Sequence, residues 1–232
     1  MSFGKLVGGT VAAMVLVAGA AWTLAVSQER AVVIPAPADD SPKKPGHPET
    51  AVLAGGCFWG MQGVFEHVRG VRGVVAGYSG GSARKATYED VETGATGHAE
   101  SIQITFDPNE VSYGELLRIF FSVAHDPTEL NRQGPDTGTQ YRSVIFYADD
   151  TQRRIAQNYI AQLNGSRVFA QPIVTRVDEL KGFYPAEGYH QDYYLKNPRT
   201  PYIVINDLPK IRHLQQLFPD DYRDSPVMVG AR

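Results

Sequence analysis

The residues from Ala51 to Gly60 constrain the fold more than any other stretch of this sequence. The short apolar run at 51–54 predicts a strand, and Gly55-Gly56 predicts a tight turn, because glycine adopts backbone conformations that are closed to other residues. Apolar residues with helical spacing then follow from Trp59 to Val68. The sequence therefore predicts a strand, a turn and a helix, with Cys57 at the helix N-terminus.

Cys57 is the only cysteine in the 232 residues. Free backbone N–H groups at a helix N-terminus create positive potential, so we expect this thiol to ionise readily and to act as a nucleophile. A lone cysteine is also compatible with an inert buried side chain, and Phe58 and Trp59 with core packing. The turn by itself leaves both interpretations open.

Composition is typical of a globular domain with an additional N-terminal segment. Hydrophobic residues make up 43%, charged residues 20%, and the formal net charge is -3, which argues against a nucleic-acid-binding surface. A single cysteine excludes an intramolecular disulfide and a zinc site built from cysteines. The six histidines lack the spacing of metal ligands, so we expect no metal.

Residues 1–30 predict a targeting segment. After Lys5, no charged residue occurs from Leu6 to Val26, and a spanning helix takes roughly 20 residues. A retained signal anchor and a cleaved signal peptide both fit this pattern. In either case Lys5 stays on the cytoplasmic side, so we expect a membrane-anchored or exported protein in the periplasm or another extracytoplasmic space.

Residues 31–48 contain five of the 15 prolines in the chain. This composition predicts an extended Pro-rich linker without core-forming residues. Residues 49–232 follow as one domain, since roughly 180 residues are enough for a substantial core.

Strand and helix patterns alternate along this domain, which predicts an α+β fold. We expect a two-layer α/β sandwich whose mixed sheet is covered by helices on one side, preceded by the apolar segment and the Pro-rich linker. We interpret Tyr202–Ile205 as purely structural. The predicted strands are Val71–Tyr78, Ile102–Phe106, Val144–Tyr147 and Ile173–Val177, and helices are predicted after the capping box Ser112-Tyr113-Gly114-Glu115, from Asp150 to Leu163 and from Pro209 to Phe218.

Two further stretches indicate a binding site. The loop from Thr128 to Thr139 is long and rich in Gly, Asn, Gln and Asp, which is typical of a functional loop. Residues 183–195 form a dense aromatic and polar cluster, in which His190 and Tyr193 share one face of a helical turn. Such clusters commonly pack in a core, but they also line pockets for small apolar groups.

Taken together, seven separated motifs resemble the peptide methionine sulfoxide reductase A family, from about residue 50 to about residue 200. The resemblance implies an enzyme, a peptide-methionine (S)-S-oxide reductase, that reduces methionine S-sulfoxide, free or in proteins, to methionine. The motifs are Gly55-Gly56-Cys57-Phe58-Trp59-Gly60, Gly77-Tyr78-Ser79-Gly80-Gly81, Thr87-Tyr88, Gly97-His98-Ala99-Glu100, His125-Asp126-Pro127, Gly138-Thr139-Gln140-Tyr141-Arg142-Ser143 and His190-Gln191-Asp192-Tyr193.

The resemblance also implies a catalytic role for four side chains. Cys57 would attack the sulfoxide sulfur and become a sulfenic acid. Glu100 would give a proton to the departing oxygen, provided that burial keeps it protonated. The position of Glu100 at the start of a strand does not by itself identify it as catalytic, because carboxylates at strand ends are usually solvated. Tyr88 and Tyr141 would hydrogen-bond the same oxygen as charge builds on it.

Substrate binding is assigned by the same resemblance. An apolar pocket would discriminate in favour of methyl sulfoxides by enclosing the S-methyl group. The residues expected to bind substrate are Phe58 and Trp59, which would pack around the methyl group, and Asp136, His190 and Tyr193, which would line the site.

The chain departs from many relatives in one respect, because no cysteine follows Cys57 to resolve the sulfenic acid. We therefore expect no bound cofactor and an external thiol reductant: thioredoxin, glutaredoxin with glutathione, or a membrane-associated reducing partner that delivers electrons into an oxidising compartment. The other expected partners are oxidised proteins or free methionine sulfoxide, and the membrane if the N-terminal segment is retained. We expect a monomer that binds no nucleic acid.

Two other classes of function stay open on the sequence. The missing resolving cysteine also permits a thiol-based redox sensor that binds oxidised methionine without turnover. A different cysteine enzyme, such as an acyl transferase, would pair Cys57 with a histidine.

Overall fold

The computed structural model describes residue 1, residues 31–43 and residues 46–230. The apolar run from Leu6 to Val26 lies outside the described residues, so its role stays a prediction. Within the described part of the chain, no helix combines the length and the apolar character needed to cross a membrane.

One six-stranded mixed sheet organises the domain, as the sequence predicted. In chain order the main elements are β1 (Glu49–Ala54), α1 (Phe58–Glu66), β2 (Val71–Ser79), α2 (Tyr88–Val91), β3 (Ala99–Phe106), α3 (Tyr113–Ile119), β4 (Arg132–Gln133), β5 (Asp136–Thr137), β6 (Val144–Tyr147), α4 (Asp150–Ser166), β7 (Arg176–Glu179), β8 (Phe183–Pro185), α5 (Tyr193–Lys196) and α6 (Leu208–Leu217). The strand order is β7-β6-β1-β3-β2-β8, and only β6 and β7 run parallel. Strands β4 and β5 form a separate small hairpin.

Alternation along the strands separates two apolar layers. Ala51 and Leu53 of β1 lie in the main core with the helices, whereas Val52 and Ala54 lie in a smaller cluster. Successive side chains of a strand point to opposite faces, so the smaller cluster covers the second face of the sheet. The main core is the larger, which confirms the predicted sandwich with helices packed on one side.

Residues 31–43 pack onto the domain, and we call them the N-terminal strap. The expectation that this segment lacks core-forming residues is wrong, because Ile34 is 2% exposed within the main core. The backbone N–H of Val32 donates to the Ser122 carbonyl at 2.9 Å. The Tyr159 hydroxyl donates to the Pro35 carbonyl at 2.6 Å. The strap is extended, as its prolines dictate, but helices α3 and α4 fix it in place.

Asp40 of the strap also caps helix α3. Its carboxylate accepts hydrogen bonds from the Ser112 hydroxyl at 2.5 Å and from the Gly114 backbone N–H at 2.8 Å. The predicted capping box between Ser112 and Glu115 is confirmed, with both of its hydrogen bonds formed. The start of α3 therefore depends on one acceptor from the strap in addition to its own box.

The strand after α4 begins three residues later than predicted. The Ile173 N–H donates to the Asn164 side chain at 3.0 Å, and the Val174 N–H donates to the Pro127 carbonyl at 2.9 Å. Because the Asn164 side chain of α4 and the Pro127 carbonyl already occupy these two donors, the parallel ladder with β6 starts only at Arg176.

Replacing Ile34 by Ala should destabilise the domain by about 2–5 kcal/mol, because it removes a buried aliphatic side chain that the surrounding core cannot replace. Val33 is 74% exposed and provides the matched control, for which Val33→Ala should change stability by no more than about 0.5 kcal/mol. The free energy of unfolding in urea, measured on residues 31–232, tests this. Equal effects of the two substitutions would mean that the strap is not part of the core.

Candidate active site

Cys57 lies in the turn between β1 and α1, at the N-terminal cap of the helix. Gly56, directly before it, has a φ of +91°, a conformation that favours glycine. A Cβ atom at Gly56 would also lie 2.5 Å from Cγ of Gln133, which packs against the turn from the loop predicted to be functional. The turn therefore needs glycine on two counts, and it leaves Cys57 9% exposed.

The Glu100 carboxyl lies beside this turn. Glu100 is the second residue of β3, its side chain is 4% exposed, and its Oε2 accepts a hydrogen bond from the Phe58 N–H at 3.0 Å. Burial raises the pKa of Glu100 to about 8, although the Phe58 N–H acts to lower it. The carboxyl is therefore mostly protonated at neutral pH, which is the state that a proton donor requires.

The expectation that the Cys57 thiol ionises readily is wrong for the substrate-free site. Burial raises the pKa of Cys57 well above its usual range, and Glu100 and Asp207 raise it further. The helix N-terminus acts in the opposite direction, through the Trp59 backbone N–H. Desolvation outweighs this effect because a buried thiolate loses its hydration. Cys57 and Glu100 thus both carry protons in the free protein.

Tyr88 and Tyr141 lie near these two groups, and both are half-buried. Tyr88 begins α2, and Tyr141 ends the short turn after β5. Burial raises the pKa of each tyrosine, and the charges of Glu100 and Cys57 raise it further. Both hydroxyls therefore stay protonated and can donate hydrogen bonds to an oxygen held between them.

Four side chains, Phe58, Trp59, His190 and Tyr193, form one aromatic wall. The Trp59 and Tyr193 rings are stacked, with centroids 3.8 Å apart and planes 9° apart. The Phe58 and His190 rings lie 5.0 Å apart. Trp59 Nε1–H donates to Nδ1 of His190 at 3.1 Å. The structure thus joins the residues after Cys57 to the cluster at 183–195, which the sequence marked separately.

The protonation of His190 follows from this contact. Burial lowers the pKa of His190, and Nδ1 accepts from Trp59, so the neutral ring carries its proton on Nε2. Nε2 is buried and has no hydrogen-bond partner among the described residues. His190 therefore presents one hydrogen-bond donor that a ligand can use.

Tyr202 reaches the site, so the interpretation of Tyr202–Ile205 as purely structural is wrong. Its hydroxyl donates to the Asp136 carboxylate, and its ring meets Trp59 edge-on, with centroids 5.8 Å apart. Asp136 is thereby held against the aromatic wall from the hairpin β4–β5. The sequence carried no signal for Tyr202, because its partner lies 66 residues away.

Asp207 is the second residue that the sequence interpretation missed. It is buried, and a Cβ atom at Gly60 would overlap its carboxylate, so Asp207 lies over the first turn of α1. Its charge contributes to the raised pKa of Cys57. A signal was present, since Asp207 is a charged residue between Ile203 and Ile211 in a segment that is otherwise apolar at helical spacing.

A buried amide network fixes the segment that carries His190 and Tyr193. Gln62 of α1 donates to Gln191 at 3.2 Å and accepts from the Asp192 N–H at 3.0 Å. Gln191 in turn accepts from the Ala76 N–H at 2.9 Å. Helix α1 and strand β2 therefore hold the aromatic wall in one position relative to Cys57.

Neither a cysteine–histidine pair nor a metal centre is evident in the part of the chain that the structure describes. Cys57 makes no hydrogen bond to a histidine there, as an acyl transferase would require, and its electrostatic partners are carboxyl groups. No group of three or more His, Cys, Asp or Glu side chains among the described residues is arranged to hold a metal ion.

The rate at which iodoacetamide alkylates Cys57 should rise only above the pH of an ordinary thiol, because burial raises its pKa. An unperturbed cysteine has a pKa of about 8.5, so the inflection for the native protein should lie above that value. The same protein unfolded in urea is the control and should titrate near about 8.5. An inflection below that of the unfolded control would show that the helix N-terminus dominates.

Comparison with known proteins agrees with this geometry. A family model described as peptide methionine sulfoxide reductase matches residues 49–222. The chain is 59% identical to peptide methionine sulfoxide reductase MsrA 2 of Mesorhizobium japonicum, over 82% of this chain and 97% of that protein. It is 56% identical to MsrA 2 of Synechocystis, over 74% and 80% of the two chains. The crystal structure of reduced Mxr1 from Saccharomyces cerevisiae superposes with a TM-score of 0.60 at 33% identity, over 68% of this chain and 90% of that one. The chain therefore belongs to the peptide methionine sulfoxide reductase family, in its A branch.

Proposed function

We propose that the chain reduces methionine S-sulfoxide to methionine, with Cys57 as the nucleophile and Glu100 as the acid. The family supports the reaction and its (S)-S-oxide selectivity. The observation that carries the residue assignment is the contact between Glu100 and the backbone N–H that follows the only cysteine, made by a carboxyl that burial keeps protonated.

The raised pKa of Cys57 determines how the protons move. Both Cys57 and Glu100 begin protonated. Glu100 gives its proton to the sulfoxide oxygen, which makes the substrate sulfur electrophilic, and Sγ of Cys57 attacks that sulfur. The thiol proton passes to Glu100 as the attack proceeds. The S–O bond of the substrate then breaks, the oxygen passes as a hydroxyl to Sγ, and the transient bond between Sγ and the substrate sulfur breaks to release methionine. The substrate is thereby reduced by two electrons, and the thiol becomes a sulfenic acid.

Tyr88 and Tyr141 stabilise the polarised oxygen, since both retain their protons and lie near Glu100. The aromatic wall encloses the S-methyl group, because Phe58 and Trp59 follow Cys57 directly and are fixed by His190 and Tyr193. The Nε2–H donor of His190 and the Asp136 carboxylate line the same site. An apolar wall with few polar groups suits a small methyl sulfoxide.

Regeneration of Cys57 needs an external thiol reductant, because the 232 residues contain no other cysteine. Two thiol groups reduce the sulfenic acid to the thiol, with release of one water and formation of one disulfide. Thioredoxin, glutaredoxin with glutathione and a membrane-associated thiol protein all supply this chemistry. The domain needs no bound cofactor for either half of the cycle.

An extracytoplasmic location remains part of the proposal, and it is supported by the apolar run from Leu6 to Val26 after Lys5. The N-terminal sequence of the protein recovered from cell fractions distinguishes a retained anchor from a cleaved signal peptide. Oxidised proteins of that compartment are then the substrates, with the enzyme acting as a monomer.

Residues 31–232 should turn over a methyl sulfoxide peptide of S configuration with excess dithiothreitol, which replaces any resolving thiol. Cys57→Ser should abolish turnover, since serine cannot donate the two electrons. The R epimer is the matched control and should stay unreduced. Chiral chromatography of the remaining sulfoxide measures this. Binding of the S epimer without turnover would instead support a redox sensor.

The pH dependence of kcat/KM, which reports the ionisations of the free enzyme, should show a single falling limb near pH 8. Glu100 acts in its protonated form, and its pKa of about 8 means that activity is present below this pH and lost as the pH rises through it. Glu100→Gln should lower kcat by about 10²–10⁴-fold and remove that limb. A rate that rises between pH 7 and 9 in the wild type would show that a thiolate must form first.

A further inference from the structure

Arg142 connects the turn that carries Tyr141 to the strand that carries Glu100. Its Nη1 donates to the His98 carbonyl at 2.9 Å and to the Thr139 carbonyl at 2.8 Å. Its Nη2 donates to the Gly97 carbonyl at 2.8 Å. The guanidinium thus bridges the residues that directly precede Ala99 and Glu100 to the turn that ends at Tyr141.

Two further hydrogen bonds connect the same turn to the segment between α2 and β3. The Thr139 hydroxyl donates to the Gly94 carbonyl at 2.6 Å, and the Gln140 side-chain amide donates to the Glu92 carbonyl at 3.1 Å. Glu92 is the C-terminal cap of α2, the helix that begins with Tyr88. We call the five hydrogen bonds made by Thr139, Gln140 and Arg142 the carbonyl clasp. The clasp joins the three segments that present Tyr88, Glu100 and Tyr141.

Arg142 is an unusual residue to find in such a bridge. It is 9% exposed, and its hydrogen-bond partners among the described residues are backbone carbonyls rather than carboxylates. Burial lowers the pKa of Arg142, and the charge of Asp178 offsets only part of this effect. Burying a cation that makes no hydrogen bond to a carboxylate costs free energy, which makes a purely passive role a poor explanation. A guanidinium presents several N–H groups in one rigid plane, so it can fix the relative positions of three carbonyls.

The partners of Arg142 are confined to loops that border the site. None of the three carbonyls belongs to a helix of the main core. Loss of the clasp would therefore shift the Tyr141 turn against Glu100 and leave the aromatic wall in place. A displacement of about 1 Å in such a group can cost about 10²-fold in rate.

The geometry points to Arg142 as a positioning residue that holds the Tyr141 hydroxyl in register with Glu100 and Tyr88 at the sulfoxide oxygen. Because the roles of Tyr141 and Glu100 are themselves proposed, the clasp rests on the proposed function. Arg142 does not touch the substrate. It acts through Tyr141, and its loss should therefore matter only while the Tyr141 hydroxyl is present.

A double-mutant cycle in the full-length chain, with turnover measured in the dithiothreitol assay, tests this. Tyr141→Phe should lower kcat by about 10²-fold, as removal of one oxyanion donor does. Arg142→Met should lower kcat by a similar factor with KM little changed, because the aromatic wall is untouched. The double variant should be no slower than the slower single variant, since the two changes remove the same interaction.

Matched variants separate geometry from charge and from folding. Arg142→Lys keeps the charge without the planar fork, so it should stay impaired. Arg176→Met removes an exposed guanidinium that pairs with Asp178 of the same strand, β7, and it should leave kcat unchanged. Circular dichroism shows whether Arg142→Met folds. If it does not, Thr139→Val takes its place in the cycle with Tyr141→Phe, because it removes one hydrogen bond of the clasp from an exposed residue.

The outcomes distinguish the positioning role of Arg142 from the proposed catalytic role of Tyr141. If the losses of kcat in the two single variants multiply, to about 10⁴-fold in the double variant, the positioning role is overturned, while the reaction and the role of Tyr141 stand. Full activity of Arg142→Lys would also overturn it, because charge alone would then suffice. Wild-type activity of Tyr141→Phe would overturn the proposed role of Tyr141, and the clasp inference with it. Loss in both single variants without further loss in the double variant supports the inference.

Discussion

Burial of Glu100 against the N-terminus of α1 is the interaction on which the rest of the site depends. A carboxylic acid that stays protonated up to a pH of about 8 must be kept from water, and an ionised Glu100 would be destabilised by on the order of 5 kcal/mol. The same desolvation raises the pKa of Cys57. In the proposed mechanism a proton therefore moves between two neutral groups at the moment of attack, and a preformed thiolate is not the resting state.

This constraint explains why helix α1 is held at both ends. Its N-terminus carries Cys57 and donates to Glu100, and the Asp207 carboxylate lies over its first turn. At its C-terminus, the carbonyls of Glu66 and His67 accept from the Val227 and Arg223 N–H groups at 3.0 and 2.8 Å. These contacts at both ends restrain α1 along its axis and hold Cys57 beside Glu100.

Four distant parts of the chain converge on that helix terminus. Strand β4 supplies Gln133, which packs against the glycine turn, and the segment at 183–195 supplies His190 and Tyr193 of the aromatic wall. The residues at 202–207 supply Tyr202 and Asp207, and the turn after β5 supplies Tyr141. Because α1 and β2 hold Gln191 through buried amide contacts, even the pocket wall is positioned by the central sheet. The N-terminal strap stabilises α3 and α4 on the far side of the core.

The sequence by itself determined the strand–turn–helix around Cys57, the capping box of α3, the mixed sandwich and the family, because each depends on local periodicity, on glycine conformation or on motif order. It also named the nine side chains that the structure gathers around α1. Only the tertiary structure decided that the Cys57 thiol is neutral, that Tyr202 and Asp207 enter the site, and that Ile34 belongs to the core. These outcomes depend on desolvation and on contacts between residues far apart in the chain, such as Tyr202 with Asp136. A pattern along the sequence shows at most that a residue such as Asp207 is unusual for its segment, and it does not show which distant groups that residue meets.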